Sequence, residues 1–175
     1  MEKKRVLVCG ATGFIGRNIA EALCRDESYE VYGTYLKTKP FDNKKIKMIK
    51  ADLTDKSDAD KVIKGMDIII QAAATTSGAK DIVTKPYIHV TDNAVMNSII
   101  FRSAFENKVS NVVFFSCTVM YQDSIRPLLE EEYNLGLILP EYFMGARIKI
   151  NMEDLCYFYT RNGKTNFTVI RPSSV

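Results

Sequence analysis

Gly10-Ala11-Thr12-Gly13-Phe14-Ile15-Gly16 is the stretch that decides how this chain folds. Before it lies a short apolar run, residues 6–9. After it, Ile15, Ile19, Ala22 and Leu23 fall on one face of a helical pattern spanning residues 15–24. Three glycines at a strand-to-helix junction serve three separate needs. One permits a tight turn, one lets the backbone approach a pyrophosphate, and one lets the helix pack close to the strand. The helix start then offers unpaired N–H groups and a partial positive charge to the phosphates. A glycine triplet alone is compatible with a plain turn; between a strand and an amphipathic helix it predicts a dinucleotide site.

Working outward, short apolar runs alternate with helical patterns. Strands are expected at residues 31–36, 46–49, 67–70, 112–115 and 167–170, and helices at 56–64, 93–105 and 142–159. Strands without polar alternation are buried on both faces, as in a parallel sheet covered by helices. The alternation predicts an α/β fold, a doubly wound parallel sheet of the Rossmann type with right-handed crossovers. Ligands of such sheets bind at the carboxyl ends of the strands. Residues 1–175 read as one dinucleotide-binding domain, with no repeat and no linker.

Composition narrows the classes. Hydrophobic residues make up 46% and charged residues 26% of the 175, ordinary for a globular domain. A net charge of +3 is too small to argue for nucleic acid or a membrane surface. No apolar run approaches the ~20 residues of a spanning helix. Cys9, Cys24, Cys117 and Cys156 are widely spaced, which fits reduced thiols in a cytoplasmic protein and no metal site. With His89 as the sole histidine, a Ser-His-Asp hydrolase or multi-histidine metal centre is hard to build.

The motifs together resemble the extended short-chain dehydrogenases/reductases, the NAD(P)-dependent epimerase/dehydratase group. Gly10–Gly16 is similar to its glycine signature. Ala51-Asp52-Leu53 resembles its adenine-contacting element, and Ala72-Ala73-Ala74 its alanine pair beside the cofactor. Asn93 and Asn97 sit where its N-x-x-x-N helix begins. Ser116-Cys117-Thr118 with Tyr121 is similar to its S-S-T…Y segment, and Arg171-Pro172-Ser173 to its last strand end. The resemblance implies that Gly10, Thr12, Gly13, Phe14, Ile15, Gly16, Arg17, Lys37, Asp52, Leu53, Ala72, Ala73, Ala74 and Lys149 hold the cofactor. The implied substrate is a nucleotide-linked sugar.

An acidic residue at the end of the second strand would bond the 2′-hydroxyl of NAD and repel a 2′-phosphate. Tyr35 to Lys37 occupy that place and none is acidic; Lys37, Lys39 and Arg17 are basic. This favours NADP over NAD. The competing reading places Lys37 and Lys39 in a solvated basic stretch that continues through Lys44, Lys45, Lys47 and Lys50.

Family chemistry uses a tyrosine and a lysine spaced Y-x-x-x-K, one helical turn apart. A free phenol titrates near ~10, so a nearby ammonium must favour its phenolate. The only literal match, Tyr35–Lys39, falls at the end of the second strand, away from that chemistry. Lys149 fits the family lysine, but four residues earlier stands Gly145. Tyr142 lies seven residues before Lys149, roughly 10 Å along a helix axis. It reads either as the base or as a packing residue at the helix start. The hydroxyl partner is Thr118 first and Cys117 second, since a thiol is a weak hydrogen-bonding group.

The expected activity is therefore an NAD(P)-dependent sugar epimerase, dehydratase or ketoreductase. The alternative is a non-catalytic NAD(P)-binding sensor or scaffold with a degenerate site. The family's carboxyl-terminal substrate region is expected to be absent, leaving part of the sheet uncovered. A homodimer through the helices at 93–105 and 142–159 is a further family expectation; the plainer reading is that their apolar residues only cover the sheet.

Overall fold

A computed structural model describes residues 2–75 and 84–173. Among these, six strands form one parallel sheet: β1 (Lys4–Cys9), β2 (Tyr29–Tyr35), β3 (Ile46–Lys50), β4 (Ile68–Gln71), β5 (Asn111–Phe115) and β6 (Asn166–Ile170). Their order is β3-β2-β1-β4-β5-β6. The chain winds outward from β1 in one direction and then returns to wind in the other, so the order reverses between β1 and β4. That reversal leaves a crevice outside the carboxyl ends of the two strands. The doubly wound expectation is met, with strand bounds within two residues of those read from the apolar runs.

The described residues also form the α-helices α1 (Phe14–Leu23), α2 (Lys56–Ile63), α3 (Pro86–Glu106) and α4 (Phe143–Asn162). Alternate residues of β1 point to opposite faces. Leu7 joins a core with Ile63, Ile69, Phe101, Phe114 and Met152, beneath α2, α3 and α4. Val8 joins a smaller core with Ala20, Val31 and Ile46, beneath α1. Phe101 meets Phe114 and Phe167 edge-on at 5.2 and 5.3 Å between ring centres, tying α3 to the last two strands. Asp55 caps α2 by accepting from the Asp58 N–H at 2.9 Å.

The α1 face is covered over β1 and β2 but thins towards β6. In register with Val8 are Ile70 and Val113, and Phe115 pairs with Ile170 on the same face. Val113 and Phe115 are only half-buried, and Ile170 is 41% exposed. Among the described residues, the sheet is less covered at this edge. All four cysteines are free thiols. No helix among the described residues is long and apolar enough to cross a membrane.

Candidate functional site

The glycine turn leaves β1 through Gly10, whose φ of +70° suits a residue without a Cβ. A side chain there would also strike the Ala73 backbone, 2.7 Å from a built Cβ. Thr34 of β2 fastens the turn. Its hydroxyl accepts from the Gly10 N–H at 2.9 Å and its carbonyl accepts from the Ala11 N–H at 2.9 Å. Gly16 lies beneath the turn, where an added Cβ would sit 2.3 Å from the Gly10 carbonyl oxygen. Gly13 caps α1, and no side chain satisfies the first N–H groups of that helix.

A cleft of about 560 Å³ opens beside this turn. Gly10, Thr12, Gly13, Phe14, Ile15, Lys37, Asp52, Leu53, Ala72, Ala73 and Ala74 all line it. These candidates come from four separate loops, each following a strand, and they converge on one concavity at the sheet's reversal point. Of the expected coenzyme residues, Gly16, Arg17 and Lys149 do not line it. Arg17 pairs with Glu21 at 2.8 Å and lies over the Phe41 ring at 4.6 Å, so its charge is engaged on the outer side of α1. Tyr35, Leu36 and Ala51 line it as well, and so do Thr34, Thr38, Thr54, Thr75 and Met96, which carry no signal in the sequence.

Electrostatics at the β2 and β3 ends are mixed. Asp52 accepts from the Thr54 hydroxyl at 2.6 Å and the Thr54 N–H at 3.0 Å. These bonds, aided by the Lys37 charge, hold its carboxyl below the usual range. Lys37 thus lies close enough to Asp52 for their charges to interact, while both face the cleft.

At the end of β5, Lys149 reaches from α4 and donates to the Phe115 carbonyl at 2.7 Å, with its ammonium 4.8 Å from the Phe114 ring centre. Burial pushes its pKa down, opposed by the neighbouring Cys117 and Glu153. Burial likewise pushes the Cys117 thiol up. The Ser116 hydroxyl, beside them and buried, has no hydrogen-bond partner. Tyr142 stands apart. It ends a 3-10 turn, Pro140–Tyr142, one residue before α4, and is 39% exposed. It lines neither cleft.

A second cleft of about 570 Å³ lies at the ends of β5 and β6, lined by Thr118, Tyr121, Glu153, Arg171 and the loop after β5. Arg171 donates to Glu153 at 3.0 Å and to the Tyr121 hydroxyl at 2.5 Å. Both ion-pair partners are largely buried, which fastens β6 to α4. The structure therefore brings Thr118, Cys117 and Lys149 to the end of β5 and leaves Tyr142 outside. The Arg171–Glu153 pair gave no sequence signal, because its partners are 18 residues apart on different elements.

The family model for the NAD dependent epimerase/dehydratase family matches residues 6–175. The chain belongs to this family. Among curated relatives, a GDP-L-fucose synthase from Sinorhizobium fredii is 23% identical, over all of this chain and 52% of that protein. A UDP-N-acetylglucosamine 4-epimerase from Methanobrevibacter ruminantium M1, solved with UDP-N-acetylmuramic acid, is 25% identical, with a TM-score of 0.79 over 98% of this chain and 55% of the other. A UDP-glucuronic acid 4-epimerase from Bacillus cereus, solved with NAD, has the same fold at 22% identity, with a TM-score of 0.78 over 97% and 56% of the two chains. This epimerase/dehydratase chain thus spans about half the length of these relatives.

Proposed function

We propose that this chain binds a nicotinamide dinucleotide in the cleft beside Gly10–Gly16 and is the coenzyme half of a nucleotide-sugar epimerase, dehydratase or reductase. The carrying observation is the convergence of the glycine turn, Asp52-Leu53 and Ala72–Ala74 on one cleft at the sheet's reversal point. The residues fit the group. Uncapped N–H groups at the start of α1 suit a pyrophosphate. Asp52 and Leu53 suit an adenine edge, and the alanines offer a flat, narrow wall. When bound, the coenzyme would supply reversible hydride transfer.

Lys37 at the end of β2 supports NADP as the coenzyme, since it and Thr38 line the cleft and no carboxylate stands on that strand end. Asp52 is the opposing charge, and it already has two bonds from Thr54. Arg17, held by Glu21 and Phe41, is a lesser contributor to this preference.

For the proton transfer, Lys149 and Thr118 are assigned to the substrate side, with Cys117 as the second choice beside them. Tyr142 is the assigned base and must swing in from the start of α4; Gly145, in the first turn, leaves open space around its own Cβ position. Dimerisation through α3 and α4 would cover Val95, Tyr157 and Phe158, which are exposed. Sedimentation would test that part of the assignment.

The deciding experiment titrates the protein with NADPH and with NADH by fluorescence. NADPH should bind at least several-fold more tightly; no binding of either at millimolar concentration would end the proposal. Incubation of a complete chain, one that includes the substrate region of its relatives, with a UDP-sugar and coenzyme then tests turnover. Tyr142→Phe should abolish turnover and leave coenzyme affinity unchanged. Full turnover in that variant would remove Tyr142 from the site and leave the sensor or scaffold reading for any bound coenzyme unsupported. Binding without hydride exchange in the unsubstituted protein would favour it.

A further inference from the structure

The wall of the cleft opposite Gly10 is the segment 72–75, which has left β4 and lies in no regular element. Its backbone is held by amide side chains. Gln71 accepts from the Ala73 N–H at 3.3 Å through Oε1 and donates to the Ala73 carbonyl at 3.1 Å through Nε2. Asn93 does the same for Thr75: Oδ1 accepts from its N–H at 2.9 Å and Nδ2 donates to its carbonyl at 3.0 Å. Two side chains thus take the place of a neighbouring strand for alternate residues of this wall.

Asn97 ties the Gln71 side chain to the backbone of Asn93 in α3. Its Oδ1 accepts from Gln71 Nε2 at 2.7 Å, and its Nδ2 donates to the Asn93 carbonyl at 2.8 Å. Asn93 Nδ2 also donates to the His89 carbonyl at 2.7 Å, within α3. Gln71 and Asn97 are 1% and 2% exposed. Three amide side chains buried or half-buried among apolar neighbours are costly unless their polar atoms are matched, and here each has named partners. An apolar strand end and helix face would cover the core equally well. The amides are needed only if the backbone of 72–75 must be held at one place.

That place matters because Ala73 is the residue Gly10 touches: a Cβ on Gly10 would fall 2.7 Å from the Ala73 Cα. The glycine turn and the 72–75 wall are therefore in contact across the floor of the cleft, and a shift of the wall changes the cleft's width. We propose that Gln71, Asn97 and Asn93 are positioning residues. They fix Ala73 and Thr75 against the glycine turn, and so set the affinity of the cleft for its dinucleotide. This rests on the coenzyme reading given above.

The test uses Asn93→Ala, Asn93→Asp, Gln71→Met and Gln71→Glu, with the unsubstituted protein alongside. Asn93→Asp and Gln71→Glu keep the acceptor for the backbone N–H and lose the donor to the carbonyl. Dissociation constants for NADPH and NADH are measured by fluorescence well below each variant's melting temperature. Amide hydrogen exchange at Ala73 and Thr75 is followed in the ligand-free proteins. The expected result is about a tenfold weaker affinity for Asn93→Ala and Gln71→Met, with faster exchange at Thr75 and Ala73 respectively. Asn93→Asp should recover part of both losses.

A merely structural role would lower the melting temperature and leave the dissociation constants unchanged. Accelerated exchange with unaltered affinity would overturn the inference, and so would unaltered exchange. If Gln71→Met fails to fold, Asn93→Ala decides the matter, because Asn93 is only half-buried. If the unsubstituted protein binds neither coenzyme, it is the coenzyme reading that fails, and this inference with it. Tight binding by the unsubstituted protein and by every variant alike would sink the positioning role alone.

Discussion

A methyl group added at Gly16 would lie 2.3 Å from the Gly10 carbonyl oxygen, whereas one added at Gly13 would meet that same oxygen at 3.3 Å. The two glycines therefore answer to different constraints. Gly16 is required by the fold, because helix and turn touch there. At Gly13 the protein itself makes only a mild demand, and the stronger demand comes from what must approach the turn. Gly16→Ala should destabilise the chain by about 2–4 kcal/mol in urea denaturation, since backbone has to move. Gly13→Val should cost no more than about 1–2 kcal/mol, yet reduce NADPH affinity at least tenfold. Equal affinity in Gly13→Val would show that no phosphate rests on that backbone. Lys149 offers a second test at this scale. Burial lowers its native pKa below the ordinary value of about 10.4. Between the native and unfolded pKa values the unfolded chain binds more protons, so stability should rise with pH across that window. The burial penalty is present in full below the native pKa and is relieved as pH climbs towards ~10.4. Lys149→Met should remove this part of the rise, and urea denaturation from pH 7 to 10 would reveal it. Parallel curves for the two proteins would mean that the lysine keeps its ordinary pKa.

At the level of single elements, the start of α4 carries the sharpest departure from the family pattern. Gly145 stands one helical turn before Lys149, where Y-x-x-x-K would place a tyrosine, and a Cβ built on it meets nothing within 4 Å. A side chain added there gains helix propensity of about 0.5–1 kcal/mol over glycine without a clash. Gly145→Tyr should therefore fold at least as well as the unsubstituted chain. In a complete chain with Tyr142→Phe it should also restore the turnover proposed above, by putting a phenol one turn from the lysine. A melting point lowered by several degrees would show that the space is needed; unrestored turnover would show that Lys149 is not the partner. Elements were read from the sequence to within two residues in the sheet because buried parallel strands are uninterrupted apolar runs. The residues 167–170 were found this way although β6 packs only lightly. The start of α3 was placed seven residues late, since His89 and Thr91 break the apolar periodicity before Asn93. Tyr142 was placed at the first residue of a helix and in fact ends the 3-10 turn before it. Pro140 marked that junction, but a one-residue change in where the helix starts redirects the side chain.

For the whole molecule, the cleft is a meeting of four loops on one sheet, and no single loop defines it. Its glycine turn was legible because glycines at a strand-to-helix step have few other uses. Thr34, by contrast, bonds the turn from a neighbouring strand 24 residues away, and a threonine within β2 carries no such mark in the sequence. Gln71 likewise carries no mark, and although Asn97 is legible in the N-x-x-x-N pattern, its pairing with Gln71 depends on how α3 lies over β4. A ligand that bridges these loops should resist their separation, and since β1, β2, β3 and β4 all feed the cleft, it should oppose unfolding of the sheet as a unit. Coenzyme at a hundred times its dissociation constant contributes about 2.7 kcal/mol to stability when it binds only the native state. For a domain of this length that corresponds to a rise of about 5–10 °C in Tm. NADPH should produce the larger rise at equal concentration, and Lys37→Glu should reverse the order in favour of NADH. Equal shifts from both coenzymes, unchanged by Lys37→Glu, would place the lysine in the solvated basic stretch of residues 37–50 and leave the coenzyme preference to be set elsewhere in the cleft.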